Sequence, residues 1–114
     1  MVAAMEAHGG SAAVQEDACH ALGNLAADSP DIQARAAEAG AMEAVVAAME
    51  AHGGSAAVQE EACTALGNLA VDSPAIQARA AEAGAIEAVV AAMEAYGDSA
   101  GVQEWGEYAL DTLQ

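Results

Sequence analysis

The side chains with the most chemical capacity in this chain are two cysteines, three histidines and eighteen Asp and Glu residues. Cys19 and His20 are adjacent, and neighbours on a helix point about 100° apart, which does not build a metal or thiolate–imidazole pair. Cys19 and Cys63 stand at equivalent places 44 residues apart. Packed helices lie about 8–10 Å apart, and a disulfide needs Cα atoms within about 7 Å. Two reduced, buried thiols are therefore expected. His8 and His52 each precede a Gly-Gly pair, and the last turn of a helix favours a cationic ring there. Carboxylates are plentiful, but no pair sits in an apolar setting that would separate two pKa values for acid–base work. The chain has no nucleophile elbow, no phosphate loop and no close Cys/His metal spacing. The expectation is a protein that is not an enzyme, with no metal and no cofactor.

What positions these residues is a repeat. Residues 1–44 align with 45–88 without a gap and differ at six positions, and residues 89–114 match 45–70 at 16 of 26. A 44-residue period indicates a helical solenoid or a propeller. The 35 alanines, with abundant Glu and Gln and few β-branched residues, select helix. Only 18 residues are Leu, Ile or Val, and the net charge is -16, a composition typical of disorder. The periodic apolar stripes override it. Copies this similar point to consensus design or recent duplication. With no lysine and two arginines, the chain is a poor partner for phosphate backbones or anionic membrane surfaces. No signal or transmembrane segment is apparent, consistent with cytoplasmic expression.

Each period reads as three helices. Ser73-Pro74 supplies an N-cap and a first helical residue that needs no N–H, and the segment ends at Gly84. Ile86, Val89, Val90 and Met93 form one apolar face of the next segment. Ser55 caps a third segment with Val58, Ala62, Leu66 and Leu69 as its stripe. Eight helices are predicted near 2–8, 12–26, 30–39, 41–52, 56–70, 74–83, 85–96 and 100–113, with the firmest breaks at Gly40 and Gly84. The single domain, 1–114, divides into a partial first unit 1–28, a unit 29–72 and a unit 73–114 with a divergent last helix.

The run Ala75-Ile76-Gln77-Ala78-Arg79-Ala80-Ala81-Glu82-Ala83-Gly84-Ala85-Ile86 resembles the first helix of an armadillo repeat, its Ala-Gly turn and the start of the second helix. Val58-Gln59-Glu60-Glu61-Ala62-Cys63-Thr64-Ala65-Leu66-Gly67-Asn68-Leu69-Ala70 resembles the third helix, with its Ala-Leu-x-Asn-Leu-Ala ending. The resemblance covers essentially the whole chain. It implies an all-α, right-handed α-solenoid of about two and two-thirds units that acts as a non-enzymatic scaffold for extended peptides or protein surfaces. It also implies that Asn24 and Asn68 hold a peptide main chain, since one amide both donates and accepts. Where the family often carries Trp, four residues before that Asn, this chain has His20, Thr64 and Tyr108, and the third Asn position is Thr112. Any peptide is expected to be basic, with Glu16, Glu60 and Glu104 as the acids that meet it.

The last copy replaces Glu61-Ala62-Cys63-Thr64 by Trp105-Gly106-Glu107-Tyr108. That edit suits a terminal unit, which needs a polar outer face. Trp105 and Tyr108, three residues apart, share a helical face and serve either as a cover or as an interface anchor. The other end begins with Met1 inside a second helix and carries no such edit. Val2, Met5, Val14, Ala18 and Leu22 are expected to form an open apolar face there, and self-association through one of the two ends, as a homodimer, is expected. The alternatives are a consensus structural protein, a natural peptide- or protein-binding module, and a self-assembling repeat fragment.

Overall fold

Five serines set the starts of five helices. The hydroxyls of Ser11, Ser29, Ser55, Ser73 and Ser99 accept the backbone N–H three residues on, at Val14, Ile32, Val58, Ile76 and Val102. This satisfies one of the donors that every helix start leaves free. Pro30 and Pro74 occupy the first helical turn after two of these caps. In the computed structural model, which describes residues 2–114, the helices are α1 (Val2–Ala7), α2 (Ala12–Ala26), α3 (Pro30–Glu38), α4 (Ala41–Ala51), α5 (Ala56–Ala70), α6 (Pro74–Glu82), α7 (Ala85–Ala95) and α8 (Ala100–Leu113). The expected helix boundaries agree to within a residue. Met1, expected in the opening helix, lies outside the described residues.

Gly40 and Gly84 take left-handed φ angles of 91° and 84°, which turn each first helix sharply into a second without a side-chain penalty. The turn from third to first helix uses Asp instead. Asp28 and Asp72 have φ of 62° and 57°, a region that Asp enters more readily than most residues. Neither aspartate stood out in the sequence.

The third helices α2, α5 and α8 lie side by side and make the most extensive packing in the molecule, with first and second helices layered against them. Met42, Leu66, Leu69, Val58, Val89 and Val102 are fully or almost fully buried. Alanines such as Ala62, Ala65 and Ala109 at 0 % exposure allow the third helices to approach closely, and this compensates for the small number of large aliphatic residues. The fold is all-α, with no strand among the described residues.

The N-terminal end differs from expectation. Met5, Ala18 and Leu22 are buried and Val2 and Val14 half-buried, because α1 packs on both α2 and α4. The exposed apolar side chain there is Leu25, at 49 %. At the other end Val90 is 40 % exposed. Glu107 is exposed where its counterpart Cys63 is buried.

Candidate peptide-binding face

Counting by four along each third helix gives three parallel columns: Glu16, His20 and Asn24 on α2; Glu60, Thr64 and Asn68 on α5; and Glu104, Tyr108 and Thr112 on α8. All nine are exposed or half-buried.

These side chains are already engaged with one another. His20 Nδ1 lies 2.6 Å from Glu61 Oε2 and ties α2 to α5. The Asn24 side-chain nitrogen lies 3.0 Å from His20 Nε2. Both contacts fit a ring that donates from Nδ1 and accepts at Nε2. Asn68 works across two helices: its Nδ2 donates to the Gly23 carbonyl at 3.1 Å, and its Oδ1 accepts from the Tyr108 hydroxyl at 2.7 Å. An amide has two N–H bonds and two lone pairs, so Asn68 keeps one of each for another partner. Thr64 turns its hydroxyl back to the Glu60 carbonyl in its own helix, at 3.0 Å.

The Tyr108 ring lies close against Gly67, where a Cβ would fall 2.6 Å from Cδ2. Gly67 is thus the residue that lets Tyr108 reach Asn68. Trp105 stands edge-on to Tyr108, with ring centroids 5.8 Å apart and planes at 81°. Burial, followed by the charges of Asp28 and Asp72, pushes the Tyr108 hydroxyl above its ordinary pKa, so it stays a hydrogen-bond donor. The Glu60 carboxyl group sits over Gly101 in the first turn of α8, 2.6 Å from where a Cβ would be. A carboxylate is favoured at that end of a helix.

Residues 29–71 match the family model for the Armadillo/beta-catenin-like repeat. This segment is similar to an armadillo repeat. Its third helix is α5, the helix whose Asn68 joins α2 to α8, and the armadillo repeat is a protein-interaction scaffold type rather than a catalytic one. No curated protein and no solved structure matches the chain.

The thiols have no part in this face. Burial is the main cause that pushes both Cys19 and Cys63 up to about 12, with Glu61 and Glu60 respectively adding to it. Both are therefore neutral, unreactive core residues. No group of three or more His, Cys, Asp or Glu residues suited to a metal ion occurs among the described residues, and no helix there is long and apolar enough to cross a membrane.

Sequence reasoning missed the glutamines. Gln59 is 3 % exposed and its Nε2 donates to the carbonyls of Met49 and His52 at 3.0 Å each. Gln15 does the same for Met5 and His8, and Gln103 for Met93 and Tyr96. A helix leaves its last carbonyls unsatisfied, and each glutamine closes the end of the second helix in its own unit. The available signal was a glutamine four residues after the capping serine in every copy.

Proposed function

We propose that the chain is a non-enzymatic armadillo-type scaffold whose third-helix face accepts an extended, basic peptide. The observation that supports this best is Asn68. Its amide is held between Gly23 and Tyr108 and keeps one N–H and one lone pair, the pair of groups that an extended peptide main chain offers and needs. Glu16, Glu60 and Glu104 recur on the same turn of α2, α5 and α8, and the net charge of -16 favours cations over this surface. Asn24, bonded within its own helix to His20, joins the face once that bond opens. The near-identity of the copies supports a consensus origin for the scaffold.

Titration of a Lys/Arg-rich extended peptide at low and high salt tests the reading. Saturable binding that weakens with salt, and that is lost in Asn68→Ala, is expected. Equal binding by wild type and Asn68→Ala would refute it. A second reading, self-association through an end, is favoured by the positions of Leu25 and Val90, each exposed at an opposite end of the stack, and by half-buried Trp105. Sedimentation in about 0.15 M salt, where charge repulsion between chains is screened beyond about 8 Å, should show a homodimer. A monomer mass rules that reading out.

A further inference from the structure

Two grooves separate neighbouring second helices, one of about 200 Å³ between α1 and α4 and one of about 270 Å³ between α4 and α7. They are one groove repeated. Every residue that lines the first, Glu6, Gln15 and Ala47 among them, has its counterpart 44 residues on lining the second, as do Glu50, Gln59 and Ala91. No residue of the three third-helix columns lines either groove. The walls are largely alanine methyls, and each groove holds one exposed carboxylate, Glu6 or Glu50. Neither carboxylate meets a cation among the described residues.

Each groove also holds a glutamine that uses only its donors. Gln15 and Gln59 are 2 % and 3 % exposed. Each gives both Nε2 hydrogens to carbonyls, while its Oε1 accepts from no group among the described residues. No fully buried side-chain oxygen there lacks a partner, so each Oε1 is open to the groove that its residue lines. An unmet acceptor, a carboxylate and methyl walls together call for an occupant with an apolar stem and a cationic tip that donates several hydrogen bonds. A lysine side chain has all three. The chain has no lysine of its own, so the occupant comes from another protein rather than from a second copy. Spacing selects its backbone. Packed helices lie about 8–10 Å apart, and residues seven apart on a helix share a face at a rise of about 10.5 Å. Same-face residues of an extended chain fall at about 7 Å or about 13 Å instead. We propose that the paired grooves are a docking surface for a basic helix of a partner protein, which seats lysines seven residues apart on Gln15 and Glu6 in one groove and on Gln59 and Glu50 in the other.

The test titrates the intact, isotope-labelled chain with an Ala/Gln peptide of about 18 residues, stapled into a helix, that carries two lysines seven residues apart. The side-chain amide signals of Gln15 and Gln59 should shift together and saturate, with a Kd of about 1 mM or below. The same peptide with its lysines nine apart, on opposite faces of the helix, should bind about fivefold more weakly or worse. Ala91→Leu, at an exposed position and so compatible with folding, should fill the second groove and abolish the shift at Gln59. Glu50→Gln should weaken binding about two- to fivefold, the range of an exposed ion pair, while Glu16→Gln, the same charge change on the third-helix face, leaves it unchanged. Circular dichroism checks that each variant keeps its helix. No saturable shift by about 1 mM peptide overturns the proposal, as does equal binding of the two lysine spacings or indifference to Ala91→Leu. Equal loss from Glu16→Gln and Glu50→Gln also overturns it, because attraction by net charge then accounts for the binding.

Discussion

Gly23 and Gly67 occupy the same place in successive third helices, but their surroundings differ, and this difference predicts opposite outcomes for one substitution. A Cβ at Gly23 would lie 3.5 Å from the Ala65 Cα and 3.6 Å from Asn68 Nδ2, ordinary van der Waals contact. Replacing an interior helical Gly by Ala gains about 1 kcal/mol in propensity. Gly23→Ala should therefore stabilise the fold by about that amount, raising Tm by about 4 °C or more. At Gly67 the same Cβ would fall on the Tyr108 ring. Overpacking costs about 1–3 kcal/mol, and displacing Tyr108 from Asn68 loses a hydrogen bond worth about 1 kcal/mol. After the propensity gain is subtracted, Gly67→Ala should destabilise by about 2 kcal/mol. Unfolded-state effects are alike for the two substitutions, so the difference of about 3 kcal/mol reports the ring contact. Urea unfolding followed by circular dichroism at 222 nm measures it. In a Tyr108→Ala background Gly67→Ala should become stabilising. If both glycine variants shift stability in the same direction, or if removing Tyr108 leaves the Gly67→Ala penalty in place, the reasoning fails.

Gln59→Leu should cost about 2–4 kcal/mol by urea unfolding, because it strands the Met49 and His52 carbonyls at the end of α4. The native thiols should resist a disulfide reagent at pH 8 and react only at the rate of unfolding, since both are protonated up to about 12. Their contribution to stability is complete below the ordinary thiol pKa of 9.0 and is lost as pH rises from there toward about 12, so Tm should fall across that window. Added salt at pH 7 should raise Tm by screening repulsion among the acids; a Tm independent of salt would contradict this.

The helices were legible in the sequence because each boundary has a local chemical cause: a serine cap, a proline in the first turn, a glycine that accepts a positive φ. The buried glutamines were not, because their role depends on two carbonyls seven and ten residues back, at the end of a different helix. The bridge from Gly23 through Asn68 to Tyr108 was hidden for a related reason. It depends on the register of α2 against α5 and of α5 against α8, and no single helix encodes that register. The sequence also named Leu22 where the structure exposes Leu25. Both are apolar positions of α2, and a helical stripe does not reveal which of its residues its own neighbours cover. The chemistry of the cysteines, by contrast, followed from their equivalent places in the repeat.

The arrangement of the third helices has a consequence for how the molecule loses structure. Of the three, α5 alone is flanked on both sides by another third helix. The bonds that cross between units at the other edge, His52 Nε2 to the Gly9 carbonyl at 2.8 Å and the Tyr96 hydroxyl to the Gly53 carbonyl at 2.7 Å, are exposed. In a linear array stability is a sum of unit and neighbour contributions, so opening proceeds from the outer units, where α2 and α8 each pack against a single other third helix. Amide protons of α5 should then exchange only through global unfolding, and those of α1 through local fraying. The central helix acts as the anchor of cooperativity, and a mutation there melts the whole stack while the same change in an end helix sheds one unit.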